Sequence, residues 1–199
     1  MNAQAHFWKW FERHQDELLH IDDDRERLFN SLADALHKVD SHLTFEFGPP
    51  EAKREFVISA GGIKSAFPAV VSLVSAAPPL PGWRVTAFRP RRVPLNAIEF
   101  RDKSADPEQV NFSLLDNGQT AGVRLFIPGF KEEDADWKQV GYLLLDDALG
   151  EYDVETHLGL IKMYSPDVST SEKRYPFRDL PQLFDQLVAR LERRTGKPF

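Results

Sequence analysis

The chain contains no cysteine, which excludes disulfides, thiolate metal sites and cysteine nucleophiles together. Long apolar runs are also missing. Charged residues interrupt every hydrophobic stretch well short of the roughly 20 residues that span a bilayer. The N-terminal segment, with Lys9, Glu12, Arg13, Asp16 and Glu17 among its aromatics, lacks the apolar core of a signal peptide. Positive charge is in deficit: 25 Lys and Arg stand against 31 Asp and Glu, a formal net charge of -6. Nucleic acid is therefore not expected as a partner, because phosphate contacts need a basic surface. No Gly-x-Ser-x-Gly elbow, Walker loop, dinucleotide fingerprint or deaminase signature occurs. The histidines His6, His14, His20, His37, His42 and His157 include no pair at the i, i+4 spacing of two metal ligands on one helical face, so neither metal nor cofactor is expected. A cytoplasmic protein with no membrane partner is therefore expected.

What is present is a near-repeat. Shifted by 67 positions without a gap, 43–63 lies over 110–130 with its apolar residues in register, and Gly62 meets Gly129. The offset continues into Val70, Leu73 and Ala77 over Trp137, Val140 and Leu144, and after a two-residue insertion Trp83 and Val85 meet Tyr152 and Val154. The pattern implies two copies of a strand, strand, helix, strand unit, at about 43–90 and 110–165. With 199 residues, 42% of them hydrophobic, the chain is long enough to bury a substantial core, and residues 1–199 are read as one domain.

Two helices within 4–39 precede the first unit. They carry Phe7, Trp8, Phe11, Leu18 and Leu19, then Leu28, Phe29, Leu32, Ala35, Leu36 and Val39 at helical spacing, with Asp22 to Asp24 as a cap between them. Trp8 and Trp10 raise the idea of a membrane-surface helix, but acids outnumber bases on that segment, so docking against the protein body is expected. Strands are predicted at 43–47, 55–60 and 83–88, with a helix at 65–77 ending before Pro78 and Pro79. The stretch 91–109, of mixed charge and with only Ile98 to Phe100 resembling a short strand, reads as a connector. Strands at 110–115 and 121–127 turn on Asp116, Asn117 and Gly118. A helix at 132–148 stops at Gly150, a strand runs from Tyr152 to about Met163, and a last helix spans 181–194. The expected fold is α+β: a mostly antiparallel sheet with helices on one face, braced by two N-terminal helices and one C-terminal helix.

Alternation sends Phe45, Phe47, Phe56, Ile58, Val85, Phe112, Leu114, Val123 and Leu125 toward the helices. It leaves Thr44, Glu46, Glu55, Ser59, Arg84, Thr86, Asn111, Ser113 and Arg124 on a wet face. Val57, Phe88 and Phe126 also fall on that face, where with Glu46 they could form a partner surface; the alternative is that a terminal helix covers them. Arg84, Arg89, Arg91, Arg92, Arg101 and Lys103, opposed by Glu99 and Asp102, make a local patch of net +4. Within it Arg84, Arg89, Arg91 and Arg92 are candidates for gripping a phosphate or carboxylate, and an ordinary ion-paired surface is the alternative. No carboxylate pair reads as catalytic: Asp146 with Asp147 and Glu132 with Glu133 diverge on a helix, and although Glu46 and Glu55 fall on adjacent strands and the same predicted face, Glu46 fits a cross-strand ion pair with Arg84 equally well.

Phe7-Trp8-Lys9-Trp10-Phe11, the run from Ala77 to Trp83 leading into Ala87-Phe88-Arg89-Pro90-Arg91, and the stretch from Leu144 to Glu151 resemble a family of uncharacterised bacterial proteins. The resemblance implies no activity, ligand or site residue. The function expected from the residues is a non-catalytic protein-interaction or regulatory module, of the toxin-neutralising kind, partnered by another protein or, through an open edge strand, by a second copy. The alternative is an enzyme or sensor holding a small anionic ligand through the arginine cluster.

Overall fold

The computed structural model describes residues 2–20 and 25–196; the Asp22 to Asp24 cap lies outside them. The protein is α+β, and it divides into two compact units on either side of the Arg89–Pro90 bond. Each unit has its own hydrophobic core.

The first unit opens with α1 (Ala3–Leu19) and α2 (Arg25–His37), followed by β1 (Thr44–Phe47), β2 (Arg54–Ser59), α3 (Phe67–Ser75) and β3 (Trp83–Ala87). Asn2 caps α1 by accepting the Ala5 N–H at 3.0 Å, which satisfies one of the donors that a helix start leaves free. The sheet order is β1-β2-β3, with β1 antiparallel to β2 and β3 parallel to it. A parallel partner requires a crossover, and α3 supplies it. The predicted inner face is the real one: Phe56 and Ile58 are buried with Phe45, Phe47 and Val85 packed around them. Phe11 of α1 stacks on Phe56 at 4.8 Å and meets Trp83 edge-on at 5.3 Å. The Trp8 indole N–H donates to the Leu73 carbonyl at 2.8 Å, tying α1 to α3. The aromatics of α1 thus dock on their own unit, and burying each contributes about 1.5–3 kcal/mol.

The second unit begins with a hairpin, β4 (Ile98–Phe100) and β5 (Lys103–Ala105), inside the stretch read from sequence as a connector. Leu95, Ile98, Phe100 and Ala105 join the second core, so this segment belongs to the unit. Then come β6 (Asn111–Asp116), β7 (Ala121–Phe126), α4 (Ala135–Leu149), α5 (Glu151–His157), β8 (Leu158–Tyr164), β9 (Tyr175–Pro176) and α6 (Leu180–Thr195). The sheet order is β8-β7-β6-β9, antiparallel except for the parallel β7–β8 pair. Phe112, Val123 and Leu125 face Val140, Leu144, Phe184 and Leu187 in the core.

The strand expected from Tyr152 to Met163 is corrected to a helix followed by a strand. Glu151, Val154 and His157 are the buried residues of α5, an i, i+3, i+6 spacing that a period of two also accommodates at Val154. Gly150, at φ 83° and ψ 143°, ends α4 and starts α5, a conformation essentially restricted to glycine. The extra helix moves the register. Val85 lies beside Phe56 on β2, whereas Ile161, not Val154, lies beside Val123 on β7. At Gly141 a Cβ would stand 2.3 Å from the Met163 sulfur, so glycine allows α4 to lie this close to β8.

Candidate functional site

The face expected to stay open is largely closed, and three of the four partner-surface candidates are corrected to buried positions. Val57 is 0% exposed. It sits on the central strand of its sheet, between its register partners Glu46 and Thr86, where neighbours flank it on both sides. Phe88 follows β3 at φ 63°. This left-handed residue breaks the strand alternation and sends the ring to the helix side, 4.5 Å from Phe67. Phe126 lies under a strap formed by residues 165–174: the Arg174 guanidinium sits 3.7 Å from the ring centroid, held by the carbonyls of Pro166 and Val168. Glu172 pairs with Arg124, and the Ser113 hydroxyl donates to the Lys173 carbonyl at 2.9 Å. The cover is therefore a loop, not a terminal helix. Glu46 alone of the four stays half-buried on the surface, and Arg84 stays exposed.

Arg84, Arg89 and Arg91 are committed to carboxylates. Arg89 Nε donates to Glu46 Oε1 at 2.5 Å. Arg84 lies 3.5 Å from Glu55 Oε1, which also accepts the Thr86 hydroxyl at 3.0 Å. Arg91 belongs to the second unit and is the most fully engaged. Its Nε donates to the Leu149 carbonyl at 2.8 Å, its Nη2 reaches Asp153 at 2.7 Å, and both terminal nitrogens hold Asp185, at 2.8 and 3.0 Å. Hydrogen bonding to Asp185, ahead of that to Asp153 and against the cost of burial, raises the Arg91 pKa further above its ordinary value. The Arg92 backbone N–H donates to the Asp147 carbonyl at 2.8 Å. Arg84 and Arg89 lie in one unit, Arg91 and Arg92 in the other, so no single cluster of four forms within a unit.

Around Arg91 is a cleft of about 330 Å³ lined also by Tyr152, Asp153, His157, Phe184, Asp185 and Glu192. His157 Nδ1 stands 3.2 Å from Asp153 Oδ1, and its ring meets Phe184 edge-on at 6.2 Å. Burial opposes the charge on Asp153, yet hydrogen bonds from His157 and Arg91 outweigh it and hold the carboxyl below the usual aspartate range. The sequence reading overlooked this pair. Asp153 and His157 are four residues apart, a spacing that brings side chains together only on a helix, and reading the segment as a strand sent them to different neighbours. Chemically the cluster is a clasp joining the segment before β4 to α5, α6 and the end of α4.

Further clefts lie elsewhere among the described residues. One, of about 250 Å³, is lined by Phe130, Glu132, Lys138, Tyr142 and residues 161–164 beside β8. Another, of about 540 Å³, lies between α1 and α2 and is lined by Ala3, His6, Phe7, Trp10, Arg13, Ala35 and Lys38. Among the described residues no group of three or more His, Asp and Glu is placed to hold a metal ion, and no helix is long and apolar enough to cross a membrane. The chain matches no protein-family model, no curated protein and no solved structure.

Proposed function

We propose that the protein is a non-catalytic interaction module that binds another protein. One observation supports this reading over the small-anion alternative: the guanidinium groups of Arg84, Arg89 and Arg91 already hold carboxylates of their own units. An incoming anion would have to displace an intramolecular partner at each, which costs the ion pair as well as the desolvation of the ligand. Open clefts beside part-exposed aromatic side chains, Trp10 in one unit and Tyr142 in the other, suit a broad protein contact, whose anchors are enriched in Trp, Tyr and Arg.

The test is a thermal-shift series against phosphorylated and carboxylated metabolites, run beside crosslinking of the chain to its native partners. The expected result is no shift and a stoichiometric protein adduct. A metabolite present at 100 times its dissociation constant would add about 2.7 kcal/mol, a rise of roughly 5–10 °C for a chain of this size. Such a rise would overturn the proposal in favour of the small anion.

A further inference from the structure

We infer that the cleft between α1 and α2 is a docking groove for a short acidic, amphipathic helix presented by another protein. The inference rests on the interaction-module reading and names the chemistry of the partner. On α1, Ala3, His6, Phe7, Trp10 and Arg13 recur at three and four residues, and Ala35 of α2 and Lys38 just beyond its end line the same cleft. That stripe runs for about 15 Å along the helix. Its floor is apolar and fixed: Phe7 is 2% and Ala35 7% exposed. The half-buried Trp10 indole is stacked on His14 at 4.4 Å and 19°, so it is oriented before anything binds.

The rim is cationic. Arg13, Lys38 and His6 are exposed, and the lining contains no carboxylate. Among the described residues neither Arg13 nor Lys38 forms an ion pair; Arg13 Nε donates to the Lys9 carbonyl at 2.9 Å. This sets the groove apart from the arginines discussed above, whose charge is balanced. Uncompensated cations around an aromatic floor are complementary to carboxylates around an apolar anchor.

Two considerations choose a helix of a protein over other acidic occupants. The groove is walled by helices whose backbone groups are paired internally, so an extended peptide finds no free ladder there, whereas a helix satisfies its own backbone and offers anchors at i, i+3 and i+7. Polyanions such as nucleic acid or an anionic bilayer contact a wider area. Over that area the net charge of -6 and the acids Glu12, Asp16 and Glu17 on α1 oppose them.

The experiment selects peptides of about four helical turns from a displayed random library on the full chain. It then measures each against Arg13→Glu/Lys38→Glu, Arg13→Gln/Lys38→Gln and Trp10→Ala, with circular dichroism confirming the fold. The expected result is enrichment of sequences with Asp or Glu at helical spacing around one Leu or aromatic residue. Their affinity should fall about tenfold or more in the Glu variant, less in the Gln variant, and also at high salt. Peptides that bind the charge variants as tightly as the original chain would place docking elsewhere, overturning the groove while leaving the interaction module standing. No enriched peptide, together with no crosslinked native partner, would overturn both. Duplex DNA or phosphatidylserine vesicles that bind through Arg13 and Lys38 would overturn the peptide ligand.

Discussion

Arg91→Ala should destabilise the protein without abolishing any binding activity, because the guanidinium is spent on holding the second unit together. Four of its hydrogen bonds reach Leu149, Asp153 and Asp185, on the end of α4, on α5 and on α6. A hydrogen bond involving a charged group contributes about 1.5–3 kcal/mol when buried. Here the Arg91 side chain is 32% exposed and Asp185 56%, so solvent screening brings the whole arrangement down to about 1–2 kcal/mol. Urea unfolding at neutral pH should show that loss, with the slope unchanged. Arg91→Lys should recover only part of it, since an ammonium cannot hold both carboxylates and the carbonyl in the same fork. As pH falls through the Asp153 value, which is held below the ordinary 3.8, that carboxylate protonates and the gap between variant and parent should narrow. A loss under about 0.3 kcal/mol, or one that persists undiminished in acid, would refute the clasp and return Arg91 to the list of available anion ligands.

Other consequences are equally direct. Phe11→Ala removes the ring that stacks on Phe56 and meets Trp83 edge-on and should cost about 3–5 kcal/mol in chemical denaturation. Arg174→Ala should cost about 1–2 kcal/mol through the lost cation–π contact with Phe126, and hydrogen exchange should quicken across 165–174. Gly150→Ala forces a side chain onto φ 83° and ψ 143° and should cost about 1–3 kcal/mol, read as a lower thermal midpoint. For acid stability the sign is fixed by Glu172 and Asp153, whose carboxyls lie below their ordinary values of 4.5 and 3.8. Glu172 is lowered first by its hydrogen bond from Arg124. A depressed folded pKa gives stability that is complete above the unfolded value and is lost on acidification through the folded one. The urea midpoint should therefore be flat above about pH 5.5 and fall below 4.5; a midpoint that rises on acidification would contradict it.

The elements that could be read from sequence are those in which local pattern and tertiary packing agree. Phe45, Phe56, Val123 and Leu125 alternate because one sheet face is buried, and the observed cores contain that face. Pro78 after α3 and Gly196 after α6 mark helix ends through backbone chemistry that needs no neighbour, whereas the helix expected from 132 begins only at Ala135, with Asp134 as its cap. Reading failed at 151–157, where Val154 satisfies both periods and only the glycine conformation at 150 turns the chain into a second helix. At 91–109 it found the Ile98 to Phe100 strand but not its partner Lys103–Ala105, and took the stretch, with Pro94 and Pro107, for a connector, whereas Ile98 and Phe100 pack against the second core.

By itself, then, the sequence determined the fold class, the inward face of each main strand and the helices at either end, because hydrophobic period and capping chemistry are local properties. It also determined which residues carry charge. Only the tertiary structure decided which charges are balanced. Arg91 is neutralised by Asp153 and Asp185, which lie 62 and 94 residues along the chain, while Arg13 and Lys38 line an open groove. Likewise Phe126 alternates outward like any strand residue, yet Arg174 closes over it. Whether a polar or aromatic side chain is available to a partner depends on what distant segments fold across it, and local periodicity carries no information about that.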